Sequence, residues 1–309
     1  MSDASQRRIK LNNGLTIPVI GTGAWAPSDP ESQAKVSNWL TNALKNGYRH
    51  IDTAYIYGTE KATGEAIRAS GVPREEVFVT TKLPWHHHDM VAKSLEESLA
   101  NLGTHYVDLY LMHWPQALVY EEGNMFPQNE DGTYKAIQEV KFHETWREME
   151  KLLDTGKARA IGVSNFSIKT LEQLLSTAKV VPAVNQVELH PYLAQNALRD
   201  YCASKGIALM AYAPSGFSDV RSDPVIRCIA KKYGVTPNQV TLAWHVSRGT
   251  LIIPKSENHE RQLENFHLPS ISPVDLEKVW ALDRGQRICN KADPVHGQVW
   301  GWTLEQLGW

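Results

Sequence analysis

Short apolar runs alternate with longer amphipathic stretches through most of this chain. The runs VIGTG (19–23), HIDTA (50–54), VFVTT (77–81), VDLYLMH (107–113), ARAIGVS (158–164), AVNQVEL (183–189), IALMAYA (207–213) and TLIIPKS (250–256) have the length and β-branched content of buried strands. Between them, Val91, Leu95, Leu99 and Leu102 recur at helical spacing, as do Ile168, Leu171, Leu174 and Leu175. Each connection is long enough for a crossover helix, so the strands can run parallel. Eight strand-then-helix units in roughly 250 residues predict an α/β fold, a (β/α)8 TIM barrel. Ahead of the first unit, IKLNNGLTIPVIG holds two short apolar runs around Asn13-Gly14, a dipeptide suited to a tight turn, and predicts an N-terminal β-hairpin. No linker-like segment divides the chain, so residues 1–309 read as one domain.

Two segments break the alternation. Residues 115–141 form a polar insertion after the fourth predicted strand, and the tail from about 286 to 309 is rich in Trp and Gly without a clear period. Long loops at the C-terminal face of a barrel usually carry function. The net charge of −2, from 32 basic and 34 acidic residues mixed along the chain, offers no broad surface for nucleic acid or an anionic membrane. Cys202, Cys228 and Cys289 are odd in number and lack CxxC spacing, which argues for a reducing compartment and against a disulfide framework or structural zinc. The N-terminal residues MSDASQRRIK contain no apolar signal core, and no run approaches membrane-spanning length, so a cytoplasmic protein is expected.

Chemically capable residues cluster at predicted strand ends. In GYRHIDTAYIYGTE, Asp52 ends the second run and Tyr57 follows five residues later; Lys82 follows the third run and His113 ends the fourth. A phenol is a weak acid near neutrality. A neighbouring ammonium is expected to lower its pKa, with a carboxylate holding that ammonium charged, while a neutral His113 orients a carbonyl oxygen. Ser164, Asn165 and Gln186 carry polar groups able to hold a carboxamide, and Lys255, Ser256 and Arg261 form a cluster suited to a 2′-phosphate. No GxGxxG follows the first strand, so a Rossmann mode is not indicated. The run His86-His87-His88 is not read as a metal site, because adjacent residues point apart and no acidic or cysteine partner has ligand spacing.

The ordered motifs GYRHIDTAYIYGTE, LYLMHWP, AIGVSNF, VNQVELHPY and IIPKS....RQLENF resemble those of aldo-keto reductases, the fungal aldose- and glycerol-type reductases in particular, over nearly the whole chain. The resemblance implies NADPH-dependent reduction of aldehydes and some ketones by hydride transfer, with Tyr57 as general acid, Lys82 and Asp52 tuning it and His113 aligning the substrate. It implies a cofactor site of Gly23, Ala24, Trp25, Asp52, Ser164, Asn165, Gln186, Tyr212 (stacked on the nicotinamide), Ala213, Ser215, Gly216, Lys255, Ser256, Arg261, Glu264 and Asn265. It further implies Trp25, Tyr57, Trp85, His113, Trp114 and Trp300 as substrate-site residues, with the C-terminal loop expected to close over them. Small-molecule carbonyl substrates, no obligate protein partner and a monomer are the corresponding expectations.

Three departures from the family pattern matter. Trp85 lies three positions after Lys82 rather than two, the loop after Gly216 is short for a clasp on the pyrophosphate, and Glu257 directly follows Lys255-Ser256, which keeps NADH open as a weaker alternative to NADPH. Two other readings stay open: NADP-dependent oxidation of polyols such as glycerol in the reverse direction, and a non-catalytic cofactor-sensing regulatory barrel, which the complete set Asp52, Tyr57, Lys82 and His113 disfavours.

Overall fold

A computed structural model describes residues 2–4 and 6–309. Eight strands lie side by side in sequence order: Thr22–Gly23, His50–Asp52, Phe78–Leu83, Leu109–Met112, Ile161–Ser164, Val184–Glu188, Ala208–Tyr212 and Leu251–Ile252. Every neighbouring pair is parallel. A parallel bridge between Ile20 and Ile252 joins the first strand to the last. The Ile252 N–H donates to the Val19 carbonyl at 2.9 Å and the Gly21 N–H to the Ile252 carbonyl at 2.8 Å, so the sheet closes on itself as a barrel with no free edge. Seven of the strands are shorter than the apolar runs that announced them, and the third, Phe78–Leu83, runs one residue longer.

Burial on both faces explains why those runs were nearly continuous rather than alternating. All six residues of Phe78–Leu83 are buried, Lys82 among them. Outside the barrel, the helix Val91–Leu102 turns Val91, Leu95, Leu99 and Leu102 inward, and Ile168–Leu175 buries Leu171 and Leu174. The hairpin Arg8–Lys10 with Thr16–Pro18 is antiparallel. Asn13 Nδ2 donates to the Arg159 carbonyl and Asn12 Nδ2 to the Pro182 carbonyl, both just ahead of barrel strands. The hairpin therefore covers the N-terminal end of the barrel, which leaves the opposite end for chemistry.

At that opposite end, residues 115–141 fold back on themselves through bridges such as Leu118 to Ala136 and Gln128 to Tyr134 before the helix Phe142–Asp154 begins. The C-terminal tail adds a small antiparallel pair, Gln298–Val299 with Trp302–Thr303, and the short helix Leu304–Leu307. Among the described residues no helix is long and apolar enough to cross a membrane, and the three cysteines are free.

Candidate active site

Lys82 sets the geometry of the barrel mouth. Its side chain has no solvent exposure, and a buried ammonium is tolerable only where other groups replace its water. Three do so. Lys82 Nζ donates to Asp52 Oδ1 at 2.5 Å and to the Thr53 carbonyl at 2.8 Å, and lies 3.4 Å from the Tyr57 hydroxyl. Asp52 ends the second strand, and its other oxygen accepts from Gln186 Nε2 at 2.6 Å. Burial raises the Asp52 carboxyl and lowers the Lys82 ammonium, each against the pull of the other's charge.

Tyr57 reaches this pair because the chain leaves the second strand in a single 3-10 turn, Tyr55–Tyr57, that folds back over the barrel end. Its phenol is held above the ordinary value, by burial first and then by the Asp52 carboxylate. That reverses the expected direction: beside a paired ammonium, desolvation and the nearby carboxylate outweigh attraction to Lys82, and the resting phenol keeps its proton. The His113 ring lies edge-on to Tyr57, centroids 5.7 Å apart, and is held well below the usual imidazole range by burial and by Lys82. It is neutral, and its Nδ1 is buried without a partner among the described residues. Asn165 Nδ2 donates to the His113 carbonyl at 3.0 Å and fixes the backbone that carries the ring. A proton donor, a neutral hydrogen-bonding ring and a buried cation thus converge where a carbonyl oxygen can be received.

The tryptophans separate into different roles. Trp85 is buried, donates from Nε1 to the Met125 carbonyl at 2.6 Å and stacks on His113 at 6.4 Å, so it braces the histidine from behind. Trp300 packs on Trp85 at 4.9 Å and approaches Trp114 at 6.5 Å. Trp114 is buried, whereas Trp25 is 54% exposed beside the first strand.

The polar residues expected around a nicotinamide are brought together, and they hold one another. Asn165 sits in the left-handed region with φ 65 at the end of the fifth strand. Ser164 Oγ donates to the Gln186 carbonyl at 2.8 Å, and the Tyr212 hydroxyl donates to Asn165 Oδ1 at 2.8 Å. Gln186, expected to face a carboxamide, is occupied in bracing Asp52. Gly23 and Ala24 lie at the end of the first strand, and the Ala24 N–H donates to the Asp52 carbonyl at 2.7 Å. Ala213 takes a positive φ after the seventh strand.

A cleft of about 330 Å³ opens beyond Tyr212, lined by Ser215, Lys255, Ser256, Arg261, Glu264 and Asn265, and also by Arg221 and Asn238. Gly216 closes the neighbouring turn as the residue before the helix Phe217–Arg221. Asn265 is committed internally, donating to the Tyr48 hydroxyl and accepting from Asn238. Glu257 pairs with Lys255 at 2.5 Å. Two arginines, a lysine and hydroxyl donors in one cleft fit a phosphate-bearing nucleotide, and Ser164 with Asn165 fits a carboxamide further along the mouth.

Sequence reasoning passed over Arg221, Asn238, Asn290 and Glu188. Asn290 Nδ2 donates to the Tyr212 hydroxyl at 2.9 Å. Glu188 is fully buried, and its Oε1 accepts the Ile288 and Cys289 N–H groups, tethering the start of the C-terminal loop to the barrel. The acid in VELHP was the available signal for Glu188. For Arg221 it was a lone cation in the segment after Gly216.

The histidine run packs inward. His87 Nδ1 lies 3.0 Å from Ser94 Oγ and His88 Nδ1 lies 3.3 Å from Thr145 Oγ1. Among the described residues no group of three His, Cys, Asp or Glu is placed to hold a metal.

Comparison with known proteins identifies the family and the fold. Residues 19–284 match the model of the Aldo/keto reductase family. The chain is 47% identical over 288 residues to glycerol 2-dehydrogenase (NADP(+)) of Saccharomyces cerevisiae, covering 89% of this chain and 90% of that protein. It is 44% identical to D-galacturonate reductase of Hypocrea jecorina, covering 87% of each. The aldose reductase structure from Schistosoma japonicum superimposes with a TM-score of 0.86 at 35% identity, covering 92% of this chain and 95% of that one. With eight parallel strands closed into a ring, buried polar groups meeting at its mouth and a family match across most of its length, the chain belongs to the aldo/keto reductase family.

Proposed function

We propose that this protein reduces aldehydes, and some ketones, to alcohols with NADPH, Tyr57 delivering the proton. The observation that carries the reading is the Tyr57 hydroxyl 3.4 Å from a fully buried Lys82 that is itself bound to Asp52. When bound, the nicotinamide cofactor supplies a hydride to the carbonyl carbon. The protein's part is the oxygen. His113, neutral, donates a hydrogen bond that orients the carbonyl, and Tyr57 transfers its proton to the oxygen as charge develops there. Lys82 then stabilises the phenolate left behind, and Asp52 with Gln186 keeps Lys82 in place. Residues Lys255, Ser256 and Arg261 would hold the 2′-phosphate, and Tyr212, Ser164 and Asn165 the nicotinamide. Glu257 supports weaker use of NADH through the ribose hydroxyls.

A NADPH-consumption assay across glyceraldehyde, xylose, aromatic aldehydes and keto esters tests the reading, with Tyr57→Phe as its control. Loss of the general acid should lower turnover by at least about 10²-fold while NADPH binding is kept. Near-normal turnover in the variant would remove Tyr57 from the chemistry.

The reverse reaction, oxidation of a polyol such as glycerol, is the second reading, favoured by the likeness to a glycerol dehydrogenase. The same site serves it with Tyr57 as base. Because the phenol is held protonated, oxidation should quicken about tenfold per pH unit through the mildly alkaline range, while reduction stays level across neutrality. Parallel pH profiles for the two directions would contradict this.

A further inference from the structure

Arg221 shares a cleft with Lys255, Ser256 and Arg261 although it comes from another element, the five-residue helix Phe217–Arg221 behind the seventh strand. From sequence, the loop after Gly216 is short for a clasp on the pyrophosphate. In the fold it ends in a guanidinium on the cleft wall. Arg221 Nε donates to the Phe217 carbonyl at 2.8 Å, which anchors one edge of the group and leaves the two terminal nitrogens for a ligand. Among the described residues no carboxylate pairs with Arg221 or with Arg261, whereas Lys255 is matched by Glu257. Glu264 lines the same cleft without an ion pair to either arginine. Two unmatched guanidiniums facing one concavity favour an anion between them.

The backbone of the loop is shaped for this position. Ala213, Gly216 and Phe217 all have positive φ, at 48°, 57° and 52°. Two of them are not glycine, and such conformations persist where the surroundings over-determine them. Here Val220 packs so close under Gly216 that a Cβ on the glycine would meet it at 2.1 Å. The turn is thereby held tight, and the helix bearing Arg221 is brought over the cleft.

We propose that Arg221 is a ligand of the cofactor's pyrophosphate, a short clasp that stands in for a longer loop. The proposal rests on the NADPH reading above. With the nicotinamide at Tyr212 and Asn165 and the 2′-phosphate at Lys255, Ser256 and Arg261, the pyrophosphate joining them must pass the loop that runs from Tyr212 through Ser215 to Arg221. A guanidinium there makes charge-assisted, bidentate contact with phosphate oxygens common to NADPH and NADH.

Fluorescence titration of the full-length protein with NADPH, NADH, ADP-ribose and 2′-AMP tests the assignment without relying on turnover. Arg221→Gln should raise Kd about tenfold for NADPH, NADH and ADP-ribose alike, about 1.4 kcal/mol each, and leave 2′-AMP unchanged. Arg221→Lys, which keeps the charge, should recover part of the loss, and this recovery separates a ligand from a residue that only supports the fold. Arg261→Ala should show the complementary pattern, weakening NADPH and 2′-AMP but not NADH. Unchanged binding of all four probes in Arg221→Gln, or losses confined to NADPH and 2′-AMP, would overturn the pyrophosphate assignment while the reductase reading stands. A wild-type protein that binds neither dinucleotide would overturn both.

Discussion

A lysine with no exposed surface keeps its proton only where the protein supplies what water would have supplied, and around Lys82 that supply comes from one carboxylate, one carbonyl and one phenol. Removing the cation would strand Asp52 with Gln186 as its remaining side-chain partner. Lys82→Met should therefore lower unfolding stability by about 3–5 kcal/mol and abolish most reductase activity. Urea denaturation followed by circular dichroism measures the first effect, and a variant as stable as the parent would show that Asp52 is already neutral in the native protein. Arg261 gives a different expectation, because it lies in an open cleft and not in the buried pair. Arg261→Ala should weaken NADPH by about 1.5–3 kcal/mol, the scale of hydrogen bonds to charged groups, with NADH nearly unchanged. Equal losses for both cofactors would make the arginine structural. At this scale Asp52, Tyr57, Lys82 and His113 were legible as a candidate set because each residue type is unusual at the end of an apolar strand. The direction of the Tyr57 shift was not, since burial and Asp52 act on the phenol only once three strand ends have converged.

We read the loop 115–141 and the C-terminal tail as one lid, because each closes the other's polar groups. Gln116 Nε2 donates to the Val299 carbonyl at 3.0 Å, Trp302 Nε1 to the Ile137 carbonyl at 3.4 Å, and Gln306 Nε2 to Gln138 Oε1 at 3.1 Å. Trp300, at φ 51, is wedged between Tyr134 and Phe126 of the loop and Trp85 below. Gly301 makes this approach possible. Its φ is +85, and a Cβ there would meet the Ala136 Cβ at 2.5 Å. Gly301→Ala should push the two segments apart and move Trp300, raising KM for aldehydes about tenfold while the Kd for NADPH stays within about twofold. Unchanged KM with altered cofactor affinity would place the lid over the wrong ligand. Why the barrel was readable and the lid was not follows from how each is built. Strands of the barrel and helices such as Val91–Leu102 repeat an apolar pattern that sequence displays directly. The pair Gln298–Val299 with Trp302–Thr303 and the helix Phe217–Arg221 are too short to show any period, and contacts far away in sequence fix them.

Across the whole molecule, the barrel and its surrounding helices bury histidines as neutral side chains. His50 lies against Thr80 Oγ1, His88 against Thr145, and His245 Nε2 contacts the Pro214 carbonyl in the cofactor-side loop. Burial pushes all three down from 6.5 to about 3, and His86 to about 4. In the unfolded chain each returns to its ordinary value. Below that value the unfolded state binds protons that the native state refuses, so stability is full above about pH 6.5 and falls as pH drops toward the folded pKa. Each fully buried histidine contributes about 1.4 kcal/mol per pH unit across that window, and three together about 4. Asp52 and Glu60, both raised by burial, pull the other way, because a carboxyl with a raised folded pKa takes its proton in the native state first. Their effect runs from the raised folded values down to the ordinary carboxylate range and offsets part of the histidine loss there. Typical domains have only about 5–15 kcal/mol in hand, so the protein should unfold in mild acid, above the pH at which its surface carboxylates are protonated. Urea midpoints measured at about pH 7.5, 6.5 and 5.5 should fall slightly between the first two and sharply to the third, and calorimetry in buffers of different ionisation enthalpy should show net proton uptake on unfolding that grows as pH falls. Equal midpoints at pH 6.5 and 5.5 would mean that these histidines open to solvent before the barrel does, and His245 could then no longer be holding the Pro214 loop in place.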